Sequence, residues 1–284
     1  MNPGITITVL VDNHTFTDRY LTGEPGLSIF VEADGKRILF DLGFSDVLLR
    51  NAETMGIDLR DLDVIVLSHG HLDHTGGLVP LMHYLARSTI EKIPCRYPAL
   101  VAHPHCFYPR PKPPLPDIGP ILPEDRVSRF FPVIARREPY WITGNLVFLG
   151  EIERQFGFEE KTPGSRRIVT PDGREEPDYL LDDSALAYRS DEGLVIITGC
   201  SHAGICNIIE YARRVCGEAR VVDVIGGLHL LSPTKQELGG TVSYLSGLGL
   251  RALHACHCTS LASKVALAGK CPVRETGVGL RIEY

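Results

Sequence analysis

Ser68-His69-Gly70-His71-Leu72-Asp73-His74 sets three imidazoles and a carboxylate directly after Leu62 to Ser68, a short and almost wholly apolar run. Such a run reads as a strand buried on both faces, and a rigid strand end is where converging side chains are best held. Gly70 is expected to let the backbone turn so that alternate side chains meet. Neutral imidazole and carboxylate are suited to zinc and its first-row neighbours. His69 and His71 would share one ion, and Asp73 and His74 would reach a second. The plainer alternative is a solvated, His-rich turn.

Outward from this stretch, strands and helices alternate. Ile5 to Val11 reads as a strand. Leu27 to Glu32 and Arg37 to Asp41 read as a hairpin closed at Asp34-Gly35. Ser45 is placed as the N-cap of a helix reaching Met55, and a second helix is expected from about Gly76 to Arg87. The middle differs. Eight prolines fall between Pro104 and Pro123, and a charged, irregular stretch follows from Phe156 to Asp178. Proline density of this order excludes a helix or a central strand, so 104–180 is expected to be an irregular insertion holding a lid or binding loop. Alternation resumes with strands at Ala185–Tyr188, Leu194–Thr198, Val221–Ile225 and Ala252–Cys256, interleaved with helices near 203–215, 234–245 and 260–268, and a last strand ends at Tyr284. Two halves of this kind suggest two sheets packed face to face with helices outside, in one domain over 1–284.

Composition narrows the function. The chain has 284 residues, 44% hydrophobic and 23% charged, as an ordinary globular protein does. Its longest apolar runs, such as Val64 to Leu67 and Leu194 to Ile197, are too short to span a bilayer. The start Met1-Asn2-Pro3-Gly4 has no signal-peptide pattern, so cytoplasm is the expected location. Net charge is −6 without a basic stripe, which argues against nucleic acid as a partner. Eight cysteines without a CxxC pair are expected to be reduced core residues, with Cys200 and Cys258 set apart as neighbours of histidines.

Three later histidines each follow a predicted strand: His202 in Gly199-Cys200-Ser201-His202-Ala203-Gly204, His229 in Gly226-Gly227-Leu228-His229, and His257 in His257-Cys258-Thr259. Strand ends along one edge of a sandwich converge, so these are candidates to complete two coordination spheres. His14, His83, His103, His105 and His254 read as ordinary residues.

Together with Phe40-Asp41-Leu42-Gly43, these motifs resemble the metallo-β-lactamase superfamily, whose fold is an αββα four-layer sandwich. The resemblance implies two divalent ions, zinc before manganese or iron, held by His69, His71, Asp73, His74, His202 and His257. It puts Asp41 behind the ligands as their orienting group. A narrower match, including Val11-Asp12-Asn13, Gly26-Leu27-Ser28 and Gly199 to Ile205, resembles the 7,8-dihydropterin synthase branch, which joins a pterin methyl pyrophosphate to ribofuranosyl-aminobenzene 5′-phosphate. The sequence departs from that branch at Ser260, where a glycine is expected, and Cys200 stands where the superfamily usually has a bridging aspartate. Cys200, His202 or water alone are the alternatives for that role.

The resemblance implies an α/β metal-dependent hydrolase or transferase acting on a phosphate-bearing small molecule. Asp73 and His229 would be its catalytic residues, and Arg110, Lys112 and Thr259 would contact substrate. A homodimer is compatible with this. The rivals are a generic ester, lactone or phosphodiester hydrolase, an iron-dependent oxygen or nitric oxide reductase, and a non-catalytic metal-binding or ligand-sensing protein. His71 stands where the reductases have a glutamate, and a complete ligand string argues against a sensor.

Overall fold

The computed structural model describes residues 4–160 and 162–284. Met1, Asn2 and Pro3, part of the opening stretch considered above, and Lys161, within the charged 156–178 stretch, lie outside the described residues. The strands are β1 (Ile5–Val11), β2 (Ser28–Ala33), β3 (Lys36–Phe40), β4 (Val64–Val66), β5 (Ala99–Ala102), β6 (Val133–Ala135), β7 (Tyr140–Trp141), β8 (Leu146–Phe148), β9 (Arg167–Val169), β10 (Glu175–Pro177), β11 (Ala185–Ser190), β12 (Gly193–Thr198), β13 (Val221–Gly227), β14 (Ala252–Cys256) and β15 (Arg281–Glu283). The helices are α1 (Val47–Thr54), α2 (Leu72–Thr75), α3 (Leu78–Ile90), α4 (Glu124–Val127), α5 (Ile205–Cys216), α6 (Lys235–Ser246) and α7 (Leu261–Ala268).

One sheet runs β15-β1-β2-β3-β4-β5-β6, a second runs β14-β13-β12-β11-β8-β7, and β9 with β10 forms a separate hairpin. The first sheet is antiparallel up to β3 and parallel from β3 to β6. In the second, β12, β13 and β14 are parallel. The period-2 alternation of the strands decides the layers. Ile38 and Phe40 of β3 join Val195 and Ile197 of β12 in the core between the sheets. Leu39 faces the other way, against Leu48 and Ala52 of α1 and Leu81 and Leu85 of α3. Leu194 and Ile196 likewise face away from that core, toward Ile208 and Ile209 of α5 and Leu267 of α7. Strands apolar on both faces therefore sit between two helical layers, and the fold is the expected αββα sandwich.

Three expectations need correction. The 104–180 segment is not irregular throughout, because β6 adds to the first sheet and β7 and β8 extend the second. Strands of two or three residues leave too little alternation to be read from sequence. The strand β5, between β4 and the edge strand β6, is also absent from the expected strands. Helix α1 begins at Val47 with Asp46 at the N-cap position and no side-chain cap from it, while the Ser45 hydroxyl one residue earlier donates to Glu24 Oε2 at 2.6 Å and accepts from Val47 N at 3.3 Å. Elsewhere side-chain caps start the helices: Thr234 accepts from Glu237 N at the start of α6, and Ser260 accepts from Ser263 N at the start of α7. The serine that departs from the branch pattern thus has a structural role. All eight cysteines are free, and among the described residues no helix is long and apolar enough to cross a membrane.

Gly226 stands opposite Thr198 across the parallel strands β12 and β13. Its φ is +132°, and an added Cβ would lie 1.9 Å from the Thr198 carbonyl oxygen. Gly226→Ala is therefore expected to cost roughly 3–5 kcal/mol, combining backbone strain and overpacking. Gly217→Ala, at the open left-handed end of α5, should cost only about 1–2 kcal/mol. Urea midpoints of the two variants test the difference.

Candidate metal centre

The chemistry-bearing residues gather at the C-terminal ends of parallel strands from both sheets. Asp41 follows β3 and His69 follows β4. Cys200 and His202 follow β12, His229 follows β13, and His257 with Cys258 follows β14. Four of these turns hold a non-glycine residue in the left-handed region: Asp41, Ser201, His229 and His257, with φ between 48° and 58°. Such strain persists only where the surroundings over-determine it.

The histidine tautomers follow from their partners. Ser68 Oγ donates to Asp41 Oδ2 at 2.6 Å, so it accepts from His69 Nδ1 at 2.9 Å. His74 Nδ1 donates to Asp41 Oδ2 at 2.7 Å, and His257 Nδ1 donates to Asn13 Oδ1 at 3.0 Å. Each neutral ring has then spent its one N–H on its support, leaving a bare Nε2 lone pair aimed inward. Those lone pairs face one another. His74 Nε2 lies 3.2 Å from His257 Nε2, His69 Nε2 lies 2.9 Å from His71 Nδ1, and His202 Nε2 lies 3.2 Å from the same His71 atom. His71 Nε2, for its part, is buried without a hydrogen-bond partner. Donor atoms close into overlapping groups, each within 4.8 Å: His69, His71 and His202; Asp73, His74 and His257; His69, His74 and Cys200; and Cys200, His257 and Cys258. Converging ring nitrogens, three of them on rings whose other nitrogen is held by an acceptor, fit a cation.

For His69 and His71 the electrostatics agree. Burial first, then the neighbouring His74 and His71, pushes His69 well below its ordinary pKa. Burial and the Arg110 cation lower His71 to about 3. Both rings are thus neutral, as ligation requires. Burial would raise Asp73, but facing His74 and His257 hold its carboxyl below the usual range. Burial would lower His74, and Asp73 with Asp41 more than offsets it. Cys200 is raised by burial. Cys258 is lowered despite burial, chiefly by a hydrogen bond from Cys200 and by His257.

All six residues expected as ligands, His69, His71, Asp73, His74, His202 and His257, therefore meet at one site. His202 sits with His69 and His71, while Cys200 Sγ lies 3.2 Å from His74 Nε2. His229 lines the same cleft, its ring 4.3 Å from that of His202. Asp41, wholly buried, occupies the orienting position. Sequence reasoning assigned no role to Ser68, Asp12 or Asn13. Asp12 Oδ1 accepts from His257 N at 2.8 Å, and the quoted Asp12-Asn13 pair is the signal that could have been used.

Three expected roles do not match the geometry. Arg110 is buried rather than presented to substrate: Nη2 meets Asp182 Oδ2 at 2.7 Å and Nε meets Asp178 Oδ2 at 3.0 Å. Thr259 is also buried, its hydroxyl accepting from Leu228 N at 3.0 Å. Only Lys112 of the three lines the cleft. Gly70 is needed for space rather than for backbone freedom, because an added Cβ would lie 2.2 Å from Arg110 Nη1 and 2.4 Å from Cys106 O. Asp182 Oδ2 also accepts from Gly70 N at 2.8 Å. The arginine thus braces the turn between His69 and His71.

The sequence profile of the Metallo-beta-lactamase superfamily matches residues 21–215, and the chain belongs to that superfamily. It is 30% identical to 7,8-dihydropterin-6-methyl-4-(β-D-ribofuranosyl)-aminobenzene-5′-phosphate synthase of Methanocaldococcus jannaschii, covering 92% of this chain and 89% of that protein. A second protein of that organism, the uncharacterized MJ0448, is 27% identical over 92% of this chain and 93% of its own length. Among solved structures, Tm1679, a metal-dependent hydrolase of the β-lactamase superfamily, superposes with a TM-score of 0.80 at 28% identity, covering 99% of each chain. The chain is accordingly a metal-dependent enzyme of this superfamily.

Replacing Arg110 with methionine strands two buried carboxylates, and Arg110→Met is expected to cost roughly 3–5 kcal/mol of stability. Lys112→Met, on the exposed loop, should change it by less than about 0.5 kcal/mol. Denaturant unfolding of both variants measures the contrast.

Proposed function

We propose that this enzyme is a two-metal hydrolase or transferase acting on a small molecule that carries phosphate or pyrophosphate, with dihydropterin synthase-like chemistry. The observation that carries the reading is the pair of donor groups, His69, His71 and His202 beside Asp73, His74 and His257, whose ligand atoms converge within 4.8 Å in each group at the floor of one cleft. The likeness to the archaeal synthase over nearly the whole chain supports the substrate class.

His69, His71 and His202 would hold one ion, and Asp73, His74 and His257 the other, with Cys200 at their junction in place of a bridging aspartate. Zinc is favoured, because Cys200 and Cys258 add soft sulfur to an imidazole-rich set. When bound, such ions polarise a phosphoryl oxygen, lower the pKa of water and neutralise a leaving pyrophosphate. The protein's own groups do the rest. Asp73, 34% exposed at the cleft and held ionised, accepts a proton or hydrogen bond from the attacking group and orients it. His229 faces the same space beside His202 and hydrogen-bonds the developing negative charge. Lys112 offers its ammonium to the phosphate from the Pro-rich loop. Asp41, Asp12, Asn13 and Ser68 hold the rings so that no reorientation accompanies the reaction.

Metal analysis of protein purified without chelators is expected to give close to two equivalents per chain, and less than half an equivalent, unrestored by added zinc, would end this reading. Asp73→Ala should lower turnover of a pterin methyl pyrophosphate by about 10²–10⁴-fold while the circular dichroism spectrum stays that of the parent. Full activity in a folded Asp73→Ala protein would refute the assignment of Asp73.

A further inference from the structure

The cleft in front of the metal-ligating groups encloses about 520 Å³, the size of a site for a small organic ligand. Its lining includes two basic side chains, Lys112 and Arg166. Lys112 is an exposed loop residue, whereas Arg166 is a different kind of cation. It is half-buried at the entry to the β9–β10 hairpin, its Nη2 donates to the Thr162 carbonyl at 3.1 Å, and its Nε is buried without a hydrogen-bond partner. Among the described residues no carboxylate pairs with it. Asp178, whose charge reaches it, has Oδ2 committed to Arg110 and Oδ1 to Leu180 N.

Arg166 therefore lines the cleft as a cation that has lost part of its hydration without gaining a carboxylate. Its backbone is held in place. The Arg166 carbonyl accepts from Asp178 N at 3.2 Å, and Val169 N in the same hairpin donates to the Pro109 carbonyl at 2.9 Å. Through Asp178 this hairpin is tied to Arg110, which also braces the His69–His71 turn through Asp182. The cation and the metal-ligating turn are therefore set against each other by one buried network. Elsewhere on the lining, Phe44, Leu115 and Leu231 stand 49%, 57% and 57% exposed. Large apolar side chains left in water on a cleft wall suit an apolar ring.

We propose that Arg166 is the specificity-determining residue for the substrate's anionic group, aided by Lys112, and that Phe44, Leu115 and Leu231 seat an apolar ring on the same molecule. The site then selects ring-bearing phosphates or phosphonates over either part alone. This rests on the reading of the cleft as a two-metal site for phosphorylated substrates, and it names the recognition residues that reading leaves open. Arginine fits the task because its planar fork takes two oxygens of one phosphate at once.

The test is isothermal titration of zinc-loaded protein with two probes, inorganic phosphate and phenylphosphonate, with metal content measured on the same samples. Arg166→Gln is expected to weaken both probes tenfold or more, Arg166→Lys to recover part of the loss, and Arg167→Gln, its neighbour, to bind as the parent does. Leu231→Ser should weaken phenylphosphonate about threefold or more and leave phosphate unchanged. Parent-like binding by a metal-loaded Arg166→Gln protein overturns the proposal, as does a metal-loaded parent that binds neither probe at millimolar concentration. Less than half an equivalent of metal, with binding still lost in Arg166→Gln, would overturn the two-metal reading and leave the role of Arg166 standing.

Discussion

Asp41 lies wholly buried at the end of β3 with both carboxylate oxygens engaged, Oδ1 by Ser68 N and Oδ2 by Ser68 Oγ and His74 Nδ1. A buried carboxylate is tolerated only when its acceptors are filled, so the end of β3, the end of β4 and the first turn of α2 must meet at one point. The residue takes φ 55° to do so. The second sheet must come close as well. A Cβ on Gly199 would lie 2.1 Å from Ser68 Oγ and 3.0 Å from Asp41 Oδ2, so glycine at the end of β12 is what lets Cys200 and His202 reach the histidines of the first sheet. The orientation of His74, the Ser68 bridge to His69 and the junction of the sheets depend on this one carboxylate.

A second buried network does the same work on the opposite flank. Arg110 joins Asp182, which holds the backbone of Gly70, to Asp178, which holds the backbone of Arg166. Ion pairs this deep add little net stability over apolar packing, and breaking one is costly. Their consequence here is geometric. The Pro-rich loop, the β9–β10 hairpin and the His69–His71 turn are referred to one guanidinium, so a wall of the cleft and its floor hold a common register. Long surface loops are usually more mobile than the elements they connect; this one is anchored through its buried arginine.

The centre of the site was legible in the residues because its ligands are carried by local patterns. HxHxDH is a contiguous string after an apolar run, and His202, His229 and His257 each follow a strand with clear alternation. The four layers were legible for the same reason, since strands apolar on both faces demand cover on both. The errors came where chemistry depends on burial. Arg110 and Arg166 look alike in the sequence, each a basic residue in a proline- or glycine-bearing irregular stretch. Which one lines the cleft is decided by Asp178 and Asp182, some seventy residues from Arg110 along the chain. The short strands β6, β7 and β8 were equally hidden, because their residues are recruited by sheet edges already formed.

By itself the sequence determined the kind of protein this is: strand and helix periodicity dictated the sandwich, and the local string of imidazoles and carboxylate dictated a metal-binding site at its edge. Tertiary structure alone decided how that site is supported and what it can recognise. It paired His74 with Asp41 and His257 with Asn13, gave His202 to the first histidine pair, set Cys200 beside His74, withdrew Arg110 and Thr259 from the cleft, and presented Arg166 to it. The physical reason is range. Periodicity and ligand spacing act over a few residues and are written in order along the chain, whereas desolvation and charge pairing act through space and become defined only once distant segments are packed together.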